Sequence, residues 1–157
     1  MLWRDPSVDG IKTGHHSGAG YCLMSSAKRD DQRLVAVVMG SDSEKQRAED
    51  SLALLNWGFR FYETHKLYEP GQPVAPVKVW KGKADQLQLG VAQPLLVSVP
   101  RGRYADLKPS MEVPTSLVAP IEAVQQIGTV KVMLDGAVVA QAPLVAKDAV
   151  EQAGFFK

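Results

Sequence analysis

The sequence predicts an α+β chain in two parts: antiparallel strands closed by one helix, then a small all-β domain. Three observations carry that prediction. Three short strand-like segments lie before residue 41. Apolar residues then recur at helical spacing from Ala48 to Tyr62. Beyond Lys66, short strand-like runs alternate with prolines.

The first strand reads as Val8–Gly14. The small-residue stretch Ser17-Gly18-Ala19-Gly20 separates it from a second, Tyr21–Ala27, and the polar turn Lys28-Arg29-Asp30-Asp31-Gln32 leads to a third, Leu34–Gly40. So short a link predicts an antiparallel hairpin. The third run is apolar throughout, which predicts cover on both of its faces.

Ser41 with Glu44, or Ser43 with Gln46, offers a capping box ahead of the helix. Along the helix Ala48, Leu52, Leu55, Phe59 and Tyr62 step by four and three, making one apolar stripe. Leu54, Trp57 and Phe61 make a second stripe, about a third of a turn or more away at ~100° per residue. A surface helix needs only one. This helix is therefore expected to be gripped from two sides, or to have lost one partner.

Prolines then recur at 70, 73, 76, 94, 100, 109, 114, 120 and 143, with strand-like runs between them at Val77–Trp80, Leu95–Val99 and Thr129–Leu134. Asp135-Gly136 fits a two-residue hairpin turn, with Ala137–Ala140 returning. The pattern predicts a separate β domain, a sandwich, over 67–157, after a first part over 1–66.

Composition narrows the function. With 18 basic against 17 acidic residues, no polybasic field argues for nucleic acid. Cys22 is the single cysteine, so neither an intrachain disulfide nor a Cys-rich zinc site is available. No run approaches the ~18 apolar residues of a spanning helix. Met1-Leu2-Trp3-Arg4-Asp5-Pro6 lacks the order of a signal peptide, so any export signal is expected to lie outside this chain.

Lys12-Thr13-Gly14 is the one motif with a mechanism behind it. A strand carrying it can line a cleft with an ammonium and a hydroxyl, while the glycine lets a substrate approach the backbone. Three residues alone recur by chance, and an edge strand with an exposed lysine reads the same way. The surroundings decide. Val8-Asp9-Gly10-Ile11-Lys12-Thr13-Gly14-His15 followed by Ala19-Gly20-Tyr21, then Leu34–Gly40 and Leu54-Leu55-Asn56-Trp57-Gly58-Phe59-Arg60-Phe61-Tyr62-Glu63, resemble one family in order. So do Val99-Pro100-Arg101-Gly102, Leu134-Asp135-Gly136 and Pro143-Leu144-Val145. The chain resembles D-alanyl-D-alanine carboxypeptidases, low-molecular-mass penicillin-binding proteins of the type 5 and 6 kind.

That resemblance implies a fold and a set of roles. Residues 1–66 would be the C-terminal part of a β-lactamase/transpeptidase-like domain, and 67–157 the family's β-sandwich. Lys12 would hold substrate and tune proton transfer at the nucleophile. Thr13 would hydrogen-bond the terminal carboxylate of the substrate or of a β-lactam, and Gly14 would keep the strand open. The backbone N–H of His15 would be one of two oxyanion-hole donors, while its side chain reads as solvated. Arg47 would bind a carboxylate at the mouth of the site, against the plainer reading of a surface arginine. Asp9 reads as a turn residue that could anchor the strand, and Cys22 as a packed thiol. No metal or organic cofactor is implied.

The family's nucleophilic serine lies in S-x-x-K, with a second motif S-x-N, both well upstream of K-T-G. Only eleven residues precede Lys12, so that part is expected to lie outside the chain. Ser25-Ser26-Ala27-Lys28 has the letters of S-x-x-K, but it falls in a strand and not at a helix start.

The leading expectation is a serine-type carboxypeptidase that removes the terminal D-alanine of peptidoglycan pentapeptide through an acyl-serine and binds β-lactams. It would act in the periplasm, held at the inner-membrane surface by a segment beyond Gly154-Phe155-Phe156-Lys157. The alternative is a non-catalytic interaction or membrane-orienting module. A class A β-lactamase shares K-T-G but has no appended β domain. In the family the Leu34–Gly40 strand pairs with one further upstream. Residues 1–66 are therefore expected to self-associate or be partly disordered, and 67–157 to fold independently.

Overall fold

The computed structural model describes residues Arg4–Gly154. Met1-Leu2-Trp3 and Phe155-Phe156-Lys157, which the signal-peptide and anchor readings used, lie outside the described residues. Among the described residues the chain is mostly β-sheet with one α-helix, and it divides into two compact units. One holds the chain up to His65 together with Ser98–Gly102. The other holds Lys66–Val97 and the chain from Arg103 onward.

In the first unit, β1 (Val8–His16), β2 (Gly20–Arg29) and β3 (Gln32–Ser41) form an antiparallel sheet in that order. The tight β2–β3 turn puts Asp30 at a positive φ of 51°. At the other connection Gly20 has φ +66°, and a Cβ there would stand 3.0 Å from the Gly40 Cα and the Ser41 carbonyl. Both conditions call for glycine.

Helix α1 (Glu44–Phe61) starts at Ser43, whose Oγ accepts the Gln46 N–H at 3.1 Å. Half of the expected capping box forms. The Gln46 side chain turns forward to Asp50 at 2.7 Å instead of back to the cap. The first apolar stripe faces the sheet: Leu55 and Phe59 pack with Val8, Ala27 and Ala36. Tyr62, its last member, falls past the helix end and is exposed.

Of the two arrangements expected for the helix, the structure has the one with a single gripped side: the second stripe is uncovered, with Leu54 50%, Trp57 55% and Phe61 47% exposed. One expectation is corrected. The third strand is covered on one face only, since Val35, Val37 and Met39 are 56%, 51% and 78% exposed while Ala36 and Val38 are buried. Alternation sends successive side chains to opposite faces, and α1 covers just one of them.

Val99-Pro100-Arg101-Gly102 also belongs to this unit, although it lies far along the chain. The reason is the helix C-terminus, whose last carbonyls have no partners within the helix. The Arg101 guanidinium donates to the carbonyls of Phe59 (2.9 Å), Arg60 (3.1 Å) and Tyr62 (3.3 Å), and its N–H to that of Phe61 (2.8 Å). Glu63 accepts the Gly102 N–H at 3.0 Å, which holds its carboxyl below the usual range, with His65 and Arg101 adding to the effect.

The second unit is built on one six-stranded sheet. Its order is β8 (Lys108–Glu112), β10 (Gln126–Leu134), β11 (Ala137–Ala146), β6 (Gln86–Val91), β5 (Ala75–Trp80) and β9 (Ser116–Val118). Two further strands, β4 (Tyr62–Tyr68) and β7 (Leu95–Pro100), pair with each other. Inward residues of several strands, among them Leu89, Val130, Val132 and Leu144, are fully buried in one core. Asp135 and Gly136 both have positive φ, 52° and 81°, as the expected two-residue hairpin turn requires. A single 3-10 turn, Tyr104–Asp106, had no signal in the sequence.

Candidate functional site

K-T-G lies on β1, the outer strand of the first unit's sheet, and every residue from Ile11 to His16 is exposed. Thr13 stands opposite Leu23, and Leu23 opposite Val38, so Thr13 is on the helix side. Lys12 stands opposite Met24 and Val37, on the other side. Because the strand is an edge, both residues still line one cleft of about 640 Å³ between β1 and the start of α1. Its walls carry Arg4, Lys12, Lys45 and Arg47 against the single carboxylate of Glu44. Such a cleft attracts anions.

Arg47 comes from the first turns of α1, and its side chain is only 11% exposed. Its Nη1 donates to the Gly14 carbonyl at 3.1 Å and the Cys22 carbonyl at 3.4 Å, and its Nη2 lies 3.4 Å from Glu44. The guanidinium is thus engaged with the protein's own acceptors.

His15 pairs across the hairpin with Tyr21, their rings 4.1 Å apart, and the Arg47 guanidinium stands 5.5 Å from the same Tyr21 ring. His16 is turned into the loop, where its Nδ1 accepts the Gly18 N–H at 3.1 Å. Cys22 is half-buried with Sγ 3.5 Å from the Ala19 carbonyl, a packed thiol.

The base of the motif strand is tied down by ion pairs. Both oxygens of Asp9 accept from Arg33, at 2.8 and 3.0 Å, and with Ser26 this holds the Asp9 carboxyl below its usual range. Asp5 accepts the Ser7 hydroxyl and N–H and pairs with Arg29 at 3.0 Å, which lowers its carboxyl as well. The structure therefore gives Asp9 the anchoring part of its two readings. Ser25, first letter of the accidental S-x-x-K string, is fully buried in β2 against Ser51.

Sequence reasoning missed Tyr21, Lys45 and Arg4. Tyr21 was accessible in principle, since counting back from the His16–Gly20 turn sets it opposite His15. Lys45 and Arg4 join the cleft only through the packing of α1 and of the segment before β1. Among the described residues no cluster of His, Cys, Asp or Glu is placed to hold a metal ion, and no helix is long and apolar enough to cross a membrane.

Comparison with known proteins places both units. Residues 62–152 match the family described as penicillin-binding protein 5, C-terminal domain, and residues 1–43 match that described as D-alanyl-D-alanine carboxypeptidase. The chain is 42% identical over 158 residues to the D-alanyl-D-alanine carboxypeptidase DacA of Escherichia coli, a match covering 99% of this chain and 39% of the relative. It is 39% identical to the D-alanyl-D-alanine carboxypeptidase DacF of Bacillus subtilis, over 96% of this chain and 39% of that one. The crystal structure of penicillin-binding protein 5 from Haemophilus influenzae superposes with a TM-score of 0.85 at 37% identity, covering 96% of this chain and 45% of that one. The chain thus spans about two fifths of the length of the curated relatives it matches. It belongs to the penicillin-binding protein 5 C-terminal domain family, and with residues 1–43 it corresponds to the C-terminal portion of a D-alanyl-D-alanine carboxypeptidase.

Proposed function

We propose that this chain supplies the K-T-G side of a serine-type D-Ala-D-Ala carboxypeptidase site, which removes the terminal D-alanine of peptidoglycan pentapeptide and is acylated by β-lactams. The observation that carries this is Lys12-Thr13-Gly14 on an exposed edge strand, facing a cleft walled by cations. The leaving D-alanine and a β-lactam both carry a carboxylate, and a cationic cleft with a hydroxyl donor suits that group.

In this reading Thr13 donates to the carboxylate and Gly14 leaves the backbone open. The His15 N–H takes the developing oxyanion, and Lys12 neutralises charge near the nucleophile. The serine and its lysine come from S-x-x-K, which these 157 residues do not place at a helix start. The first unit is then the C-terminal part of a transpeptidase-like domain, and the second the family's β-sandwich. The site would work in the periplasm at the inner-membrane surface.

The test has two arms. The 157-residue polypeptide alone is expected not to be labelled by a fluorescent penicillin, since loss of a catalytic serine costs about 10⁶-fold in turnover. Fused behind the preceding part of the E. coli relative, it is expected to label, and Thr13→Val is expected to weaken labelling by roughly 1.5–3 kcal/mol. Stoichiometric labelling of the unfused chain, or a fusion indifferent to Thr13→Val, refutes the reading.

A second proposal concerns partners. The β3 edge, with Val35, Val37, Leu54 and Trp57 exposed beside it, is a surface through which two copies of the polypeptide would associate.

A further inference from the structure

We propose that Tyr21 is a positioning residue: with Arg47 it clamps the Gly14–His15 backbone and so sets the direction of the His15 N–H. This rests on the reading of that N–H as an oxyanion donor, but the clamp itself stands on geometry.

The problem it solves is local. The buried core of the first unit, Val8, Ala27, Ala36, Leu55 and Phe59, holds the base of β1 and not its far end. Beyond Lys12 the strand is exposed, is paired on one side only, and runs into a turn. A donor that stabilises a transition state must be aimed in advance, so something other than the core has to fix this end.

Tyr21 is half-buried and central to what does so. Its ring stacks on His15, directly opposite it in the ladder, at 4.1 Å and 31°. The Arg47 guanidinium stands 5.5 Å from the same ring, within cation–π range. Arg47 Nη1 then reaches the carbonyls of Gly14 and Cys22, which face each other one step along the ladder. One side chain thus ties the two arms of the hairpin to the helix, and the ring it leans on grips the next residue of the motif strand. The stack spans His15, Tyr21 and Arg47.

The experiment is backbone ¹⁵N relaxation on the full 157-residue chain. In the unaltered chain the Gly14 and His15 amides should be as rigid as the rest of the sheet, with an order parameter of about 0.85, and the His15 ring protons should be shifted by the tyrosine ring current. Tyr21→Leu should drop both amides below about 0.6 and abolish the ring shift, while amides between Ser25 and Arg29 stay rigid. Tyr21→Phe, which keeps the ring, should restore both signals. Amides 14 and 15 that remain rigid in Tyr21→Leu, are mobile already in the unaltered chain, or loosen equally in Tyr21→Phe would overturn the proposal. If Tyr21→Leu unfolds the strands, His15→Ala decides in its place. It removes the stack through an exposed side chain, and rigid amides there count against the clamp. None of these signals depends on acylation, so failure of the clamp and failure of the carboxypeptidase reading are distinguishable.

Discussion

The two units carry similar apolar residues but use them differently. In the second, the inward faces of several strands meet in one core, with Leu89, Val130, Val132 and Leu144 wholly removed from solvent, and its exposed apolar residues are scattered over separate strands. In the first, a much smaller core of Val8, Ala27, Ala36, Leu55 and Phe59 lies between sheet and helix. There the exposed residues are concentrated on one strand (Val35, Val37, Met39) and one helix stripe (Leu54, Trp57, Phe61). Hydrophobicity creates the demand for burial, and the partner element decides whether it is met. The first unit carries the motif with chemistry behind it, and it is also the unit that leaves apolar surface open.

The largest effect is expected in the second core. Leu144→Ala should destabilise that unit by about 2–5 kcal/mol, while Trp57→Ala in the first should change folding stability by only a fraction as much. Segment-resolved hydrogen exchange in urea measures both, and comparable losses would erase the distinction.

Next in size is association. Light scattering should show a concentration-dependent mass for the full chain, and Val37→Lys with Trp57→Lys should return it to the monomer. A strictly monomeric chain with slow exchange throughout Leu34–Gly40 would mean that the open β3 edge has no consequence.

A smaller effect, about 1 kcal/mol, is expected for Arg101→Ala, because several helix carbonyls lose their donor at a half-exposed site. The loss should appear in exchange of the α1 amides and not in the β10–β11 ladder. The smallest effect is that of acid. Asp5, Asp9 and Glu63 in the first unit have carboxyls lowered by their partners, against Glu151 in the second. A lowered carboxyl stabilises the fold above its unfolded value, near 4, and that contribution is lost as pH falls through the folded value. The first unit should therefore lose more of its urea resistance between pH 5 and pH 2, and Asp9→Asn should flatten its profile.

Local physics was legible from the residues alone. Apolar runs and turn chemistry located β1, β2, β3, β5, β7 and the β10–β11 hairpin, and the two capping-box candidates, Ser41 with Glu44 and Ser43 with Gln46, bracketed the helix start, which the structure sets at Ser43. The K-T-G triplet and its neighbours pointed to a chemistry. The strands β4, β6, β8 and β9 were not read. Gln86-Leu87-Gln88-Leu89 alternates over only four residues, and Lys108–Glu112 and Ser116–Val118 bury no side chain fully, so neither leaves a periodic mark.

The helix, the strands with a clear period or turn, and the motif are written locally, because strand alternation, helix caps and two-residue turns depend on residues near in the chain. Tertiary structure decided which of two equivalent helix stripes would be buried, since only the sheet's position distinguishes Leu55 from Leu54. It also brought Arg101 to the end of a helix some forty residues earlier. Arg47 shows the division most clearly. Its charge and its place early in the helix are written in the sequence. Whether the guanidinium meets a ligand or the carbonyls of Gly14 and Cys22 depends on how closely α1 packs beside β1, a distance that no local pattern encodes.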